Sequence, residues 1–260
     1  MQNHAQANKA GQPVPWKVQP HGEIEQIDAG LWTVSGTIHV PIGLFPRRMT
    51  AVRLEGHRLL IYSAIALDDA TLETLEHLGT PAFLVVPNDH HREDALAWKK
   101  RFPAIQVVAP AGCVEKISSK VPVDSTTPAL GDPSVQLLPV PGTREHELAL
   151  LVHRATGSTL VVNDIIANIR GTRGFGGWMQ KVMGFAGDTP QVPGPVKTLM
   201  IKEKGALRKQ LLEWASLRAA PRGRVARRDH RTGSARRSAR TGRLSGIEYG
   251  HQRLFTRSSP

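Results

Sequence analysis

Two imidazoles and three carboxylates fall within six residues at Asp89-His90-His91-Arg92-Glu93-Asp94. Imidazole nitrogens and carboxylate oxygens held close on a fixed backbone can bind a divalent ion or move protons. The apolar run Phe83-Leu84-Val85-Val86 leads into this segment and reads as a buried strand, and a helical pattern follows it. A strand-to-helix turn supplies the rigidity that such a site needs. If the helix begins here, His90 and Asp94 share a face, four residues apart. A solvated helix N-terminus, where acids interact well with the helix dipole, is the plain alternative.

A second candidate comes later, where Thr159-Leu160-Val161-Val162-Asn163 ends on Asp164. An acid in that place commonly caps a turn. The strand before it reads as central and buried, however, which would set the carboxylate at a sheet edge beside other loops. His146, between Glu145 and Glu147, follows Pro141-Gly142-Thr143; taken alone it reads as a surface histidine. The glycine-rich stretch 171–177 lacks the Lys-Ser/Thr ending of a phosphate loop and the spacing of a dinucleotide fingerprint. It reads as a loop in which Arg170 and Arg173 could meet an anion. Cys113 has no evident partner histidine and reads as a packed thiol. No Gly-x-Ser-x-Gly elbow is present, which argues against a serine hydrolase.

The elements that must position these residues follow from apolar periodicity. Strands are expected over Leu31–Ile38, Thr50–Glu55 and Arg58–Ala64, the last two as a hairpin across Gly56-His57. Asp68 or Asp69 should cap a helix with Leu72, Leu75 and Leu78 on one face, closed by Gly79. The strand at Phe83–Val86 precedes a helix carrying Ala95, Trp98 and Phe102, then a strand over Ile105–Ala109 and a helix near Val114–Ile117. This alternation predicts a parallel or mixed sheet. Val135–Val140, Leu148–His153 and Ser158–Val162 then read as an antiparallel meander. A short amphipathic segment is expected over Trp178–Phe185, an irregular connection at Pro190, Pro193 and Pro195, and a helix from about Lys197 to Leu217.

The chain has 260 residues, enough for a sizeable core, and a formal net charge of +12. That charge is not spread evenly. Residues 218–260 hold twelve Arg, no Lys, and only Asp229 and Glu248 as acids, whereas the remainder carries 22 basic and 20 acidic groups. A basic chain often binds nucleic acid, but here only the tail has that character. Its Arg/Ala/Gly/Ser composition cannot bury enough apolar surface to offset ordering entropy. A shifted reading frame in GC-rich coding sequence would give the same composition. A disordered or out-of-frame tail is therefore expected, and nucleic acid is a partner only if that tail is genuine. The start lacks a signal-peptide layout, the apolar run Leu59–Leu67 is too short to span a bilayer, and a single cysteine allows no intrachain disulfide. These features predict a cytoplasmic protein with no membrane partner.

In order, an early strand pair, a strand ending in a His/Asp-rich turn, a Pro-Gly-Thr element before a hairpin and a strand ending in Asp resemble the metallo-β-lactamase fold. More closely, the chain is similar to the domain-of-unknown-function 4336 family, a divergent branch of that superfamily. The matching features are Pro87-Asn88 with His91 and Trp98, Phe102-Pro103, Glu147 before a strand, Thr159–Asp164 with Asn168, and Arg208 with Trp214. The resemblance covers about Leu31 to Leu217. It departs from metal-binding members in three places. Asp89-x-His91-x-Glu93-Asp94 keeps the spacing of the His-rich motif but few of its ligands. Ser63-Ala64 stands where an acid is expected after the early hairpin. No strand leading to His-Gly is expected within 218–260.

The resemblance implies an α/β fold, a metallo-β-lactamase-like αββα sandwich of two mixed sheets, incomplete at the C-terminus. The expected organisation is an extended lead over 1–25, the domain over 26–217 and the tail over 218–260. The function implied is a metal-dependent hydrolase of unknown small-molecule substrate. His90, His91, His146 and Asp164 would hold one or two divalent ions, zinc foremost, and Asp94 would be a reserve ligand or orient the attacking water. The alternative is a catalytically inactive scaffold of the same fold with a degenerate metal site.

Overall fold

A computed structural model of the chain describes residues 14–40, 43–166, 192–194, 196, 200–216, 246–249 and 252–255. The first sheet contains β1 (Glu25–Asp28), β2 (Leu31–Val40), β3 (Gly43–Leu54), β4 (Arg58–Tyr62), β5 (Thr80–Val85) and β6 (Gln106–Val108), in that order. β1 to β4 pair antiparallel, whereas β4, β5 and β6 pair parallel. The parallel half needs crossover helices. These are α1 (Asp69–Leu78) and α2 (Ala95–Arg101), and α3 (Val114–Ser118) follows β6.

The second sheet is built from β7 (Val135–Pro139), β8 (Leu148–Arg154) and β9 (Gly157–Val162) as an antiparallel meander. Beyond β9 it continues with β11 (Gln252–Phe255) and β10 (Gly246–Tyr249). Residues 218–260 thus contribute two strands, neither of which leads to His-Gly. Apolar residues near the chain's end, Ile247, Leu254 and Phe255, lie in strands, and β11 pairs antiparallel with β9. Residues 218–245 fall outside the described residues, as do the expected loop over 171–177 and the segment Trp178–Phe185.

The period-2 alternation of strand side chains separates three apolar layers. In β4, Leu59 and Ile61 join the outer cluster with Leu72, Leu75, Trp98 and Ile117 from the helices. Leu60 and Tyr62 of the same strand turn inward to meet Leu148, Leu150, Val152 and Val161 of the second sheet. In β8, Ala149 and Leu151 face the other way, onto Ile201, Leu207 and Trp214. The last two belong to α4 (Lys204–Ser216), so the layers run helix, sheet, sheet, helix.

Two boundaries differ from expectation, each for a local reason, and a third matches it. β3 starts at Gly43, far ahead of Thr50, because Arg47 and Arg48 are buried strand residues. Arg48 reaches the Thr33 hydroxyl on the neighbouring strand, which is how a cation is held inside. α1 has the expected cap, with the Asp68 carboxylate accepting from the Thr71 amide. α4 begins at Lys204 rather than near Lys197, because the amides of Lys202 and Glu203 donate to the Gly142 carbonyl instead of continuing a helix. Gly142 has φ 83°, and a Cβ there would lie 2.4 Å from the Glu203 carbonyl oxygen. Only glycine permits that approach. No described helix is long and apolar enough to cross a membrane.

Candidate functional site

The carboxyl ends of β4, β5 and β9 and the start of β8 meet at one end of the sandwich. Contacts between the sheets fix this end. The Tyr62 hydroxyl donates to the Leu148 carbonyl at 2.6 Å, and the Leu148 amide donates to the Pro87 carbonyl at 3.0 Å. Ser63, Asn88, Glu147, Asn163 and Asp164 are all buried here although none is apolar. Buried polar groups must find partners or change protonation.

Asn88 is the centre. Its Oδ1 accepts from the His90 amide at 2.9 Å, which turns its Nδ2 toward two carboxylates. That nitrogen donates to Glu147 Oε2 at 2.7 Å and to Asp164 Oδ2 at 3.0 Å. The other Asp164 oxygen lies 3.2 Å from His91 Nε2, and His91 Nδ1 lies 2.8 Å from the Ser63 hydroxyl. A carboxylate only accepts, so Nε2 carries the ring proton and a neutral His91 accepts from Ser63 through Nδ1. A continuous chain results: Ser63, His91, Asp164, Asn88, Glu147.

Burial acts most strongly on Glu147, which is wholly buried. It drives the carboxyl well above its ordinary range, and the charge of Asp164 adds to the rise. The Asn88 bond and the Asn163 and Asp164 amides oppose this and lose. Tyr62 is also held well above its usual value, first by burial and then by the two acids. Glu147 Oε1 and both amide atoms of Asn163 have no hydrogen-bond partner among the described residues. Ser63 has φ 57°, the left-handed region that costs a non-glycine residue about 1–2 kcal/mol.

The expected site residues separate. His91 and Asp164 come together, each side chain 11 % exposed. His90 borders them, with Nδ1 4.0 Å from Asp164 Oδ2, but its side chain is 61 % exposed. His146 does not join them. Its ring packs on Gly112, where an added Cβ would lie 2.3 Å from Cδ2. Asp94 turns to Arg47 of β3 and pairs with it. Asp89 pairs with Lys116 at 2.8 Å; burial works to raise this acid, yet the lysine and His90 hold it below the usual range. Cys113 is a buried thiol pushed up to about 11, mainly by burial, which suits a packed group. A separate cleft of about 640 Å³ follows edge strand β7, and no side chain of the cluster lines it.

The residues present do not fit a divalent centre of the kind the resemblance implies. A cation between Glu147 and Asp164 would face the Asn88 amide hydrogens, which point at both carboxylates. Both ring nitrogens of His91 are engaged, and His146 is elsewhere. Among the described residues no three His, Cys, Asp or Glu side chains converge on one point.

Sequence reasoning did not single out Ser63, Asn88 and Glu147 as site residues. Asn88 and Glu147 were visible only as part of the family resemblance, and Ser63 only as the place of a missing acid.

No family model matches the chain, and no curated protein matches it. Among solved structures it is similar to the DIM-1 metallo-β-lactamase exposed to ceftazidime, at 14 % identity over 62 % of this chain and 78 % of that one, with a TM-score of 0.46. A metallo-β-lactamase from Hirschia baltica aligns at 12 % identity over 54 % and 70 %, with a TM-score of 0.42. The mono-zinc form of FIM-1 from Pseudomonas aeruginosa aligns at 15 % identity over 52 % and 66 %, with a TM-score of 0.38. At such values the likeness is one of chain path, and no chemistry is carried over from it.

Proposed function

We propose that this chain is a metal-free protein of metallo-β-lactamase-like architecture, with a lapsed metal site that a hydrogen-bonded network has replaced. On this reading the network forms the floor of a site for a small-molecule ligand. The observation that carries it is the Asn88 amide, donating to Glu147 and Asp164 together. A cation and an amide NH₂ group compete for the same two carboxylates, and here the amide holds them. The burial that raises the Glu147 carboxyl well above its ordinary range works to the same end, because a neutral acid is a poor ligand. Placement in the branch of unknown function rests on the sequence motifs, of which Asn88, Glu147 and Asp164 form the cluster.

The metal-dependent hydrolase reading requires Asn88 to withdraw and His146 to leave Gly112. Elemental mass spectrometry on untagged protein, with thermal unfolding in equimolar zinc, manganese or iron(II), separates the two. The expected result is less than a tenth of an equivalent of metal and no shift of the unfolding temperature. Stoichiometric metal, lost in Asp164→Ala, would overturn the proposal.

A further inference from the structure

We infer that Ser63 is an acyl-accepting nucleophile, with His91 as its base and Asp164 as the group that orients and balances the imidazole. The inference rests on the metal-free reading, since His91 can serve as a base only if no ion holds its ring.

Three observations carry it. The first is connectivity. Ser63 Oγ lies 2.8 Å from His91 Nδ1, and His91 Nε2 lies 3.2 Å from Asp164 Oδ1, which is the serine–base–carboxylate order of acyl transfer. The two ring nitrogens exchange the roles they hold in serine proteases, but the proton path is the same. The second is the backbone of Ser63. It leaves β4 in the left-handed region at φ 57°, although its amide still donates to the Val85 carbonyl of the neighbouring strand. A side chain held at a strained strand end is presented by its backbone rather than by rotamer freedom, the mechanical device of a nucleophile elbow. The third is access. Ser63 is 3 % exposed and the His91 and Asp164 side chains 11 %, so an acyl group can reach the hydroxyl only past His90, the exposed member at 61 %.

The substrate class is an activated acyl group, an ester or thioester. Ser63 Oγ bonds to the acyl carbon while its proton passes to His91 Nδ1. The bond from that carbon to the leaving oxygen or sulfur breaks, and the leaving group departs with the His91 proton. Water then adds to the acyl carbon, giving its proton to His91 and releasing the acid. That proton returns to Ser63 Oγ, which restores the starting state. No oxidant or metal enters the balance.

The test is labelling of the full chain by a fluorophosphonate in the presence of EDTA, read by intact mass and peptide mapping. The serine oxygen bonds to phosphorus and fluoride leaves. The expected result is one label per chain, on Ser63. His91→Gln should slow labelling at least about 100-fold, and Asp164→Asn at least about 10-fold, with folding checked by circular dichroism. Hydrolysis of p-nitrophenyl acetate should fall in parallel. Ser63→Gly removes the hydroxyl while suiting the positive φ, so a loss of labelling there cannot be ascribed to backbone misfit. No label on Ser63, or labelling undiminished in His91→Gln, would overturn the inference. Metal content is measured on the same preparation. Bound metal alone defeats the metal-free reading, and a metal-free but unlabelled protein defeats only the nucleophile.

Discussion

Two buried acid sites solve opposite problems. Asp94 meets the Arg47 guanidinium, each side chain about a tenth exposed, and the charges cancel. Glu147 and Asp164 meet each other, an amide and an imidazole. The first arrangement ties the start of α2 to β3 and needs no proton. The second sets two acids side by side, where burial first and then the charge of Asp164 raise the Glu147 carboxyl well above its ordinary range. A balanced pair acts as a fastener. An acid so displaced, one amide away from a histidine-bound carboxylate, is where chemistry is to be sought.

The largest expected effect breaks the balanced side. Arg47→Met leaves the Asp94 carboxylate buried without its cation and should cost about 3–5 kcal/mol of stability in denaturant unfolding. Arg47 Nε and Nη2 already lack partners among the described residues, so this pair has little slack. A loss below about 1 kcal/mol would mean that water reaches Asp94 and that the site is not a buried fastener.

A smaller loss is expected at the unbalanced side. Asn88→Leu removes the one donor shared by Glu147 and Asp164 and should cost about 3 kcal/mol, since two buried acceptors lose their partner. The two sites are expected to separate by function as well. Arg47→Met should leave the rate of fluorophosphonate labelling per folded molecule unchanged. Asn88→Leu should slow it, because Asp164 loses the bond that holds it toward His91. Equal labelling in the two variants would erase the distinction.

Much of the scaffold was legible in the sequence, because apolar periodicity reports which face of a strand is buried. The meander over β7–β9, the Asp68 cap and the parallel pair β4–β5 all follow from it. The site was legible where an acid or histidine lies in the turn after an apolar strand, as His91 and Asp164 do. His146 misled for a physical reason. Successive residues at a strand start point to opposite faces, so with Glu147 inside, its neighbour faces outward onto Gly112. Arg47 and Ser63 could not be found from one sequence, because their partners are set by pairing across β3, β4 and β5 rather than by spacing along the chain. Arg47 and Arg48 also hid a strand, since paired arginines read as solvated until their partners are known.

The finest test of the comparison is the pH dependence of the Glu147 side. Glu147 has an ordinary value of 4.5 when unfolded and lies well above that when folded. Between those two values the folded chain binds the proton and the unfolded chain does not. Stability from this group is therefore complete below about pH 4.5 and is lost as pH rises through the folded value, by about 1.4 kcal/mol per unit. Asp89 and Asp132 are held below their ordinary value of 3.8 and act with the opposite sign. Their contribution is present above about pH 3.8 and is lost only in stronger acid, outside the window in which Glu147 acts. Glu147→Gln keeps an acceptor for Asn88 and cannot ionise. The difference in unfolding free energy between variant and wild type should thus grow in the variant's favour from pH 5 upward, and this subtraction removes the titration common to both. A flat difference for Glu147→Gln would mean that Glu147 is charged in the fold and that a cation, rather than a proton, sits beside it.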